Sequence, residues 1–93
     1  MNQRNYYLLS IDLEQNYDAD KLLEKLNKAL DWIRIVPGTY FIVSISDYRH
    51  LYIRFKDALP NNRFFIAKLD VGKGEYTGWL PREKWQWIKK NIK

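Results

Sequence analysis

The dipeptide Pro37-Gly38 constrains this chain most. It sits between two segments rich in β-branched and aromatic residues, Trp32–Val36 and Thr39–Ile45. Proline pre-sets φ, and glycine accepts positive φ, so the pair suits a tight turn. A two-residue connection can join antiparallel strands only, because a parallel pair needs a crossover of a dozen residues or more. The middle of the chain is therefore expected to be a β-hairpin. The length, 93 residues, allows one domain over 1–93, because a chain this small has surface enough for a single core.

The flanking segments extend the pattern. Asn5–Leu13 reads as a strand, followed by polar residues. Asp18 or Asp20 is placed to cap a helix whose apolar stripe is Leu22, Leu26, Ala29, Leu30 and Ile33. Ser46 or Asp47 is placed to cap a second helix with the stripe Leu51, Phe55, Ala58 and Leu59. Arg63–Asp70 reads as a further strand and Gly72-Lys73-Gly74 as a turn. Tyr76–Trp79 is a candidate short edge strand, and Pro81 opens a closing helix. The order predicts an α+β fold: a ferredoxin-like βαββαβ antiparallel sheet with an added C-terminal helix.

Alternation along the strands predicts two faces. Tyr7, Leu9 and Ile11, with Phe41, Val43 and Ile45 and with Phe65, Ala67 and Leu69, form purely apolar sets expected to face the helices. The other set includes Tyr6, Leu8, Tyr40, Ile42, Phe64 and Ile66, too apolar to be left bare to water. The closing helix or a second subunit is expected to cover it, which argues for a homodimer.

Composition excludes several chemistries. With no cysteine there is no disulfide framework, thiolate zinc site or cysteine nucleophile. One histidine, His50, excludes a two-imidazole site within one chain, and its place in a helical first turn makes it a surface residue. No apolar run reaches the ~18–20 residues of a membrane span, so a cytoplasmic, membrane-free protein is expected. The net charge of +5 is uneven. Residues 1–33 hold four bases against six acids, a net of −2; residues 34–93 carry +7. That imbalance points to nucleic acid as a partner for the C-terminal two-thirds.

Two places can carry function. Asp12 ends the first strand, two residues after Ser10, where a carboxylate suits Mg²⁺. One aspartate per chain is a poor site; two across a two-fold axis make a better one. In the closing helix, Trp85, Ile88 and Ile92 share a buried stripe, which turns Trp87 towards a polar face. Trp87 can stack on a base while Lys84, Lys89, Lys90 and Lys93 meet phosphates. Packing on a protein partner is the competing use of such a tryptophan. Gly72-Lys73-Gly74 lacks the rest of a phosphate-binding loop.

YYLLSIDL, an amphipathic helix, GTYFIVSIS, a short helix, LPNNRFFIAKLD and a Trp-rich tail together resemble small bacterial and phage proteins labelled SinR-family. More distantly, through SID and the element order, the chain resembles VapD and the small CRISPR-associated endoribonuclease of the adaptation complex. The resemblance implies ferredoxin-like homodimers with Asp12 as the metal-binding, catalytic residue of a Mg²⁺-dependent ribonuclease. The chain departs from that pattern after the aspartate, where Leu13-Glu14-Gln15-Asn16 brings no arginine. Some members of the CRISPR family bridge DNA without cleaving it. A non-enzymatic interaction or regulatory module, phage- or defence-associated, is therefore the alternative.

Overall fold

The computed structural model describes residues 3–70 and 76–91. The elements run β1 (Asn5–Ile11), α1 (Ala19–Leu26), β2 (Asp31–Val36), β3 (Thr39–Ser44), α2 (Tyr48–Ala58), β4 (Phe64–Leu69) and α3 (Arg82–Asn91). The result is a small α+β fold. Its four-stranded sheet has the order β2-β3-β1-β4, every neighbouring pair antiparallel.

The hairpin forms where Pro37-Gly38 predicts it. Gly38 has φ +85°, and a Cβ there would lie 2.8 Å from the Ile11 carbonyl oxygen. The close approach has a purpose: the Ile11 N–H donates to the Gly38 carbonyl at 2.7 Å. The turn is thereby fastened to the end of β1, beside Asp12.

Both helix caps come from the predicted residues. Asp18 accepts from the N–H groups of Asp20 and Lys21, and Asp47 from that of His50. α1 is shorter than its apolar stripe suggests, because Ile33 belongs to β2 rather than to the helix. Asn27 is its C-cap. The β-branched and aromatic run beyond it is better placed in the ladder with β3. Tyr76–Trp79, expected as an edge strand, has no ladder partner among the described residues. The Gly72-Lys73-Gly74 turn lies outside them.

The sheet faces need correction. On β1 the expectation holds: Tyr7, Leu9 and Ile11 are buried against the helices. On β3 and β4 the phase is reversed. Residues directly opposite in an antiparallel pair share a face, and the register sets Tyr7 opposite Ile42, and Leu9 opposite both Tyr40 and Ile66. Tyr40, Ile42, Phe64 and Ile66 therefore join Leu22, Leu26, Leu51 and Phe55 in the core. Phe41, Val43, Phe65, Ala67 and Leu69 take the other face. The purely apolar set was the wrong guide, because the helix side tolerates polar groups that find partners. Buried Ser44 accepts through its hydroxyl from the Ser46 N–H at 3.0 Å. α3 packs against β2. Val43 and Ile88 are fully buried outside the helix-side cluster, so the closing helix shields part of the second face. Phe65 of that face stays 66% exposed.

Candidate functional site

Asp12 follows the last residue of β1, and β4 determines its surroundings. Ile11 is opposite Phe64, so the next position along brings Arg63 beside Asp12. The Asp12 N–H donates to the Arg63 carbonyl at 2.8 Å. The guanidinium closes the pair, with Nε and Nη2 donating to Asp12 Oδ2 at 3.2 and 3.0 Å. Asp12 Oδ1 accepts from the Glu14 N–H at 3.0 Å. Asn62, buried, donates through Nδ2 to the carbonyls of Asp12 and Gln15 and so pins the loop. The Glu14 N–H, and then Arg63, hold the Asp12 carboxyl below the usual carboxylate range.

This geometry limits the chemistry. The ionised carboxylate is engaged on both oxygens, by the Glu14 N–H and by an exposed guanidinium. Among the described residues no three His, Cys, Asp or Glu side chains gather to hold a metal ion. Within one chain, exposed Arg63 takes the position on Asp12 Oδ2 that a cation would share. Arg63 and Asn62 were not among the sequence candidates. The β1–β4 pairing is the signal that finds Arg63, since it brings the residue before β4 beside Asp12.

A second site lies at the β2 edge, on the helix side. Trp32 and Arg34 of β2 pair with Ile42 and Tyr40 of β3, which fixes their shared face. With Tyr17, with Leu22 and Leu26 of α1, and with Lys84 of α3, they line a recess of about 510 Å³. The Trp32 and Tyr40 rings lie 5.9 Å apart, tilted by 59°. Trp32 is oriented by its indole N–H, which donates to Asn27 Oδ1 at 3.0 Å. Burial pushes the Tyr40 phenol up, the neighbouring Tyr17 adds to this and Arg34 opposes it, so Tyr40 stays neutral at physiological pH. Among the described residues neither Arg34 nor Lys84 forms a salt bridge. Two cations flanking aromatic rings can bind a phosphate and a base together.

Of the residues expected to meet nucleic acid, Lys84 reaches this recess. Lys89 and Lys90 are exposed in the last turn of α3, where they also complement the helix dipole. Trp87 is half-buried, and its carbonyl accepts from Asn91. Lys93 and Ile92 lie outside the described residues. Tyr40 and Phe64 lie on the helix side of the sheet. His50 is exposed, with Nδ1 2.8 Å from Asp47 Oδ1. No described helix is long and apolar enough to cross a membrane. Comparison with family models, with curated proteins and with solved structures finds no match to this chain.

Proposed function

We propose that this chain is a ferredoxin-like homodimer that contacts single-stranded nucleic acid. The β-α-β-β-α-β order, with β1 between β3 and β4, supports the ferredoxin-like reading. The observation that carries the nucleic-acid reading is the recess in which Arg34 and Lys84, without carboxylate partners among the described residues, flank Tyr17, Trp32 and Tyr40. A base enters against the half-buried Tyr17 and Trp32 rings, with Tyr40 buried behind them, while the cations meet its phosphate; stacking is sequence-tolerant because every base has a π-face. Lys89 and Lys90 add positive charge to the last turn of α3. The dimer reading is supported by the partly uncovered second face, with Leu8, Phe41, Leu69 and exposed Phe65. Titration of a single-stranded RNA at several salt concentrations tests the reading. Affinity falling steeply as salt rises is expected; no binding at low salt contradicts it.

A second reading, a Mg²⁺-dependent endoribonuclease centred on Asp12, is favoured by the resemblance and by the place of this carboxylate at the end of β1. Arg63 is exposed and can turn to a phosphodiester, releasing Asp12. A shared site would need Asp12 from two chains. RNA incubated with Mg²⁺ and with the wild-type or Asp12→Asn protein decides it. Cleavage by the wild type alone supports the enzyme; equal cleavage by both, or none, removes it.

A further inference from the structure

β4 ends the sheet, so among the described residues its outer edge has no ladder partner. α2 packs against the same strand. Between them runs an apolar groove of about 410 Å³, lined by Tyr48, Tyr52 and Ile53 of α2 and by Phe64, Phe65 and Ile66 of β4. Phe64 and Ile66 point to one sheet face and Phe65 to the other, so the groove follows the strand edge itself. Ile53 is 68% exposed, and Tyr48, Tyr52 and Phe65 are more than half exposed. An edge strand beside a helix-walled apolar groove is the geometry by which extended peptides add to a sheet. Backbone bonds supply affinity, and alternate side chains enter the groove.

We propose that this edge binds an extended, acidic segment of a partner protein as an added strand, apolar at alternate positions and carrying a carboxylate beside Arg49. The charge selects this occupant. Arg49 also lines the groove. It lies 5.6 Å from the Tyr48 ring centroid and donates to the Tyr48 hydroxyl at 3.2 Å. No salt bridge joins Arg49 to a carboxylate among the described residues. Arg54 and Lys56 add positive charge to α2; of the two acids on the helix and its cap, Asp57 is turned to Lys21 and Lys25 of α1 and Asp47 to His50. A second copy is disfavoured here. Two β4 strands paired about a two-fold axis normal to the sheet would bring two net-positive α2 helices to the same side. An acidic peptide meets that charge with the opposite sign. The proposal is independent of the nucleic-acid recess, which lies at the β2 edge.

Peptides selected against the full chain from a random library of about eight residues, enough to span a six-residue strand, provide the probes. The selected peptides are then titrated into isotope-labelled protein, and amide shifts are followed. Apolar residues two apart with an acid at one end, and shifts confined to β4 and α2, are expected. Ile53→Asp and Arg49→Glu, both at exposed positions, should each weaken binding by about tenfold or more with unchanged Tm. Failure to select any peptide, or shifts mapping elsewhere, would overturn the proposal. So would self-association abolished by Ile53→Asp, which makes a second copy the occupant. A single-stranded oligonucleotide moving the same β4 and α2 amides would also overturn it, by making the groove a nucleic-acid site.

Discussion

Asn62 shows how much one side chain can hold. Its amide spans the carbonyls of Asp12 and Gln15 from a buried position. Asn62→Ala should cost about 1–3 kcal/mol, because both carbonyls lose their buried donor; chemical denaturation measures it. Gly38 is a second such residue. Its φ of +85° and the 2.8 Å approach of the Ile11 oxygen leave no room for a methyl group. Gly38→Ala should destabilise the chain by about 1–3 kcal/mol, and a substitution without effect would show that the turn adapts. The glycine was legible in the sequence, since Pro-Gly between two β-rich segments announces it. Asn62 was not, because its partners lie 50 and 47 residues away and no local pattern names them. Asp12 was legible as a strand-end acid. Its partner Arg63 becomes legible only once β4 is known to lie beside β1.

At the scale of elements, caps and turns were readable because they act within a few residues. Asp18 and Asp47 both cap as their positions suggest. Asp18→Ala should cost about 0.5–2 kcal/mol and reduce α1 helicity, measurable by circular dichroism during thermal unfolding. The facing of β3 and β4 was not readable, because both phases of each strand carry large apolar residues. Register decides such a case, and register depends on the turn and on the pairing partner. The same ambiguity hid the recess. Tyr40 belonged to the expected open face, and Trp32 and Arg34 gained a role only once β2 was placed against β3, with Lys84 of α3 brought to the same edge.

For the whole molecule, charge governs two expectations. Three carboxyls are held below the usual range: Asp12 by the Glu14 N–H and Arg63, Asp47 by the backbone and ring of His50, and Asp57 by Lys25 and Lys21. A folded-state pKa below the unfolded one adds stability that is present above the unfolded value. It is lost as pH falls through the folded one. Stability should therefore hold from neutral pH to about pH 5 and decline below the ordinary carboxylate range near pH 4. Urea midpoints at descending pH measure this, and Asp12→Asn should lessen the acid-side loss. The unevenly distributed charge is the second matter. Among the described residues, Arg34 and Lys84 line the β2–α3 recess, and Arg49, Arg54 and Lys56 lie on α2 beside β4, two cationic regions at opposite sides of one sheet. The homodimer reading predicts a particle of about twice 11.3 kDa by sedimentation; a monomer at high concentration would contradict it.

The nucleic-acid reading rests on Arg34 and Lys84 acting with the rings between them, and charge reversal of that pair tests it most directly. Binding of a fluorescent single-stranded RNA should weaken by more than about tenfold in Arg34→Glu/Lys84→Glu at fixed salt. The fold should be unchanged, and reversal of Arg49 and Lys56 at the other edge should have a much smaller effect. Equal loss from both reversals would mean that RNA senses only net charge. Unchanged binding in Arg34→Glu/Lys84→Glu would place the RNA elsewhere on the molecule. Either result would contradict the assignment of the recess.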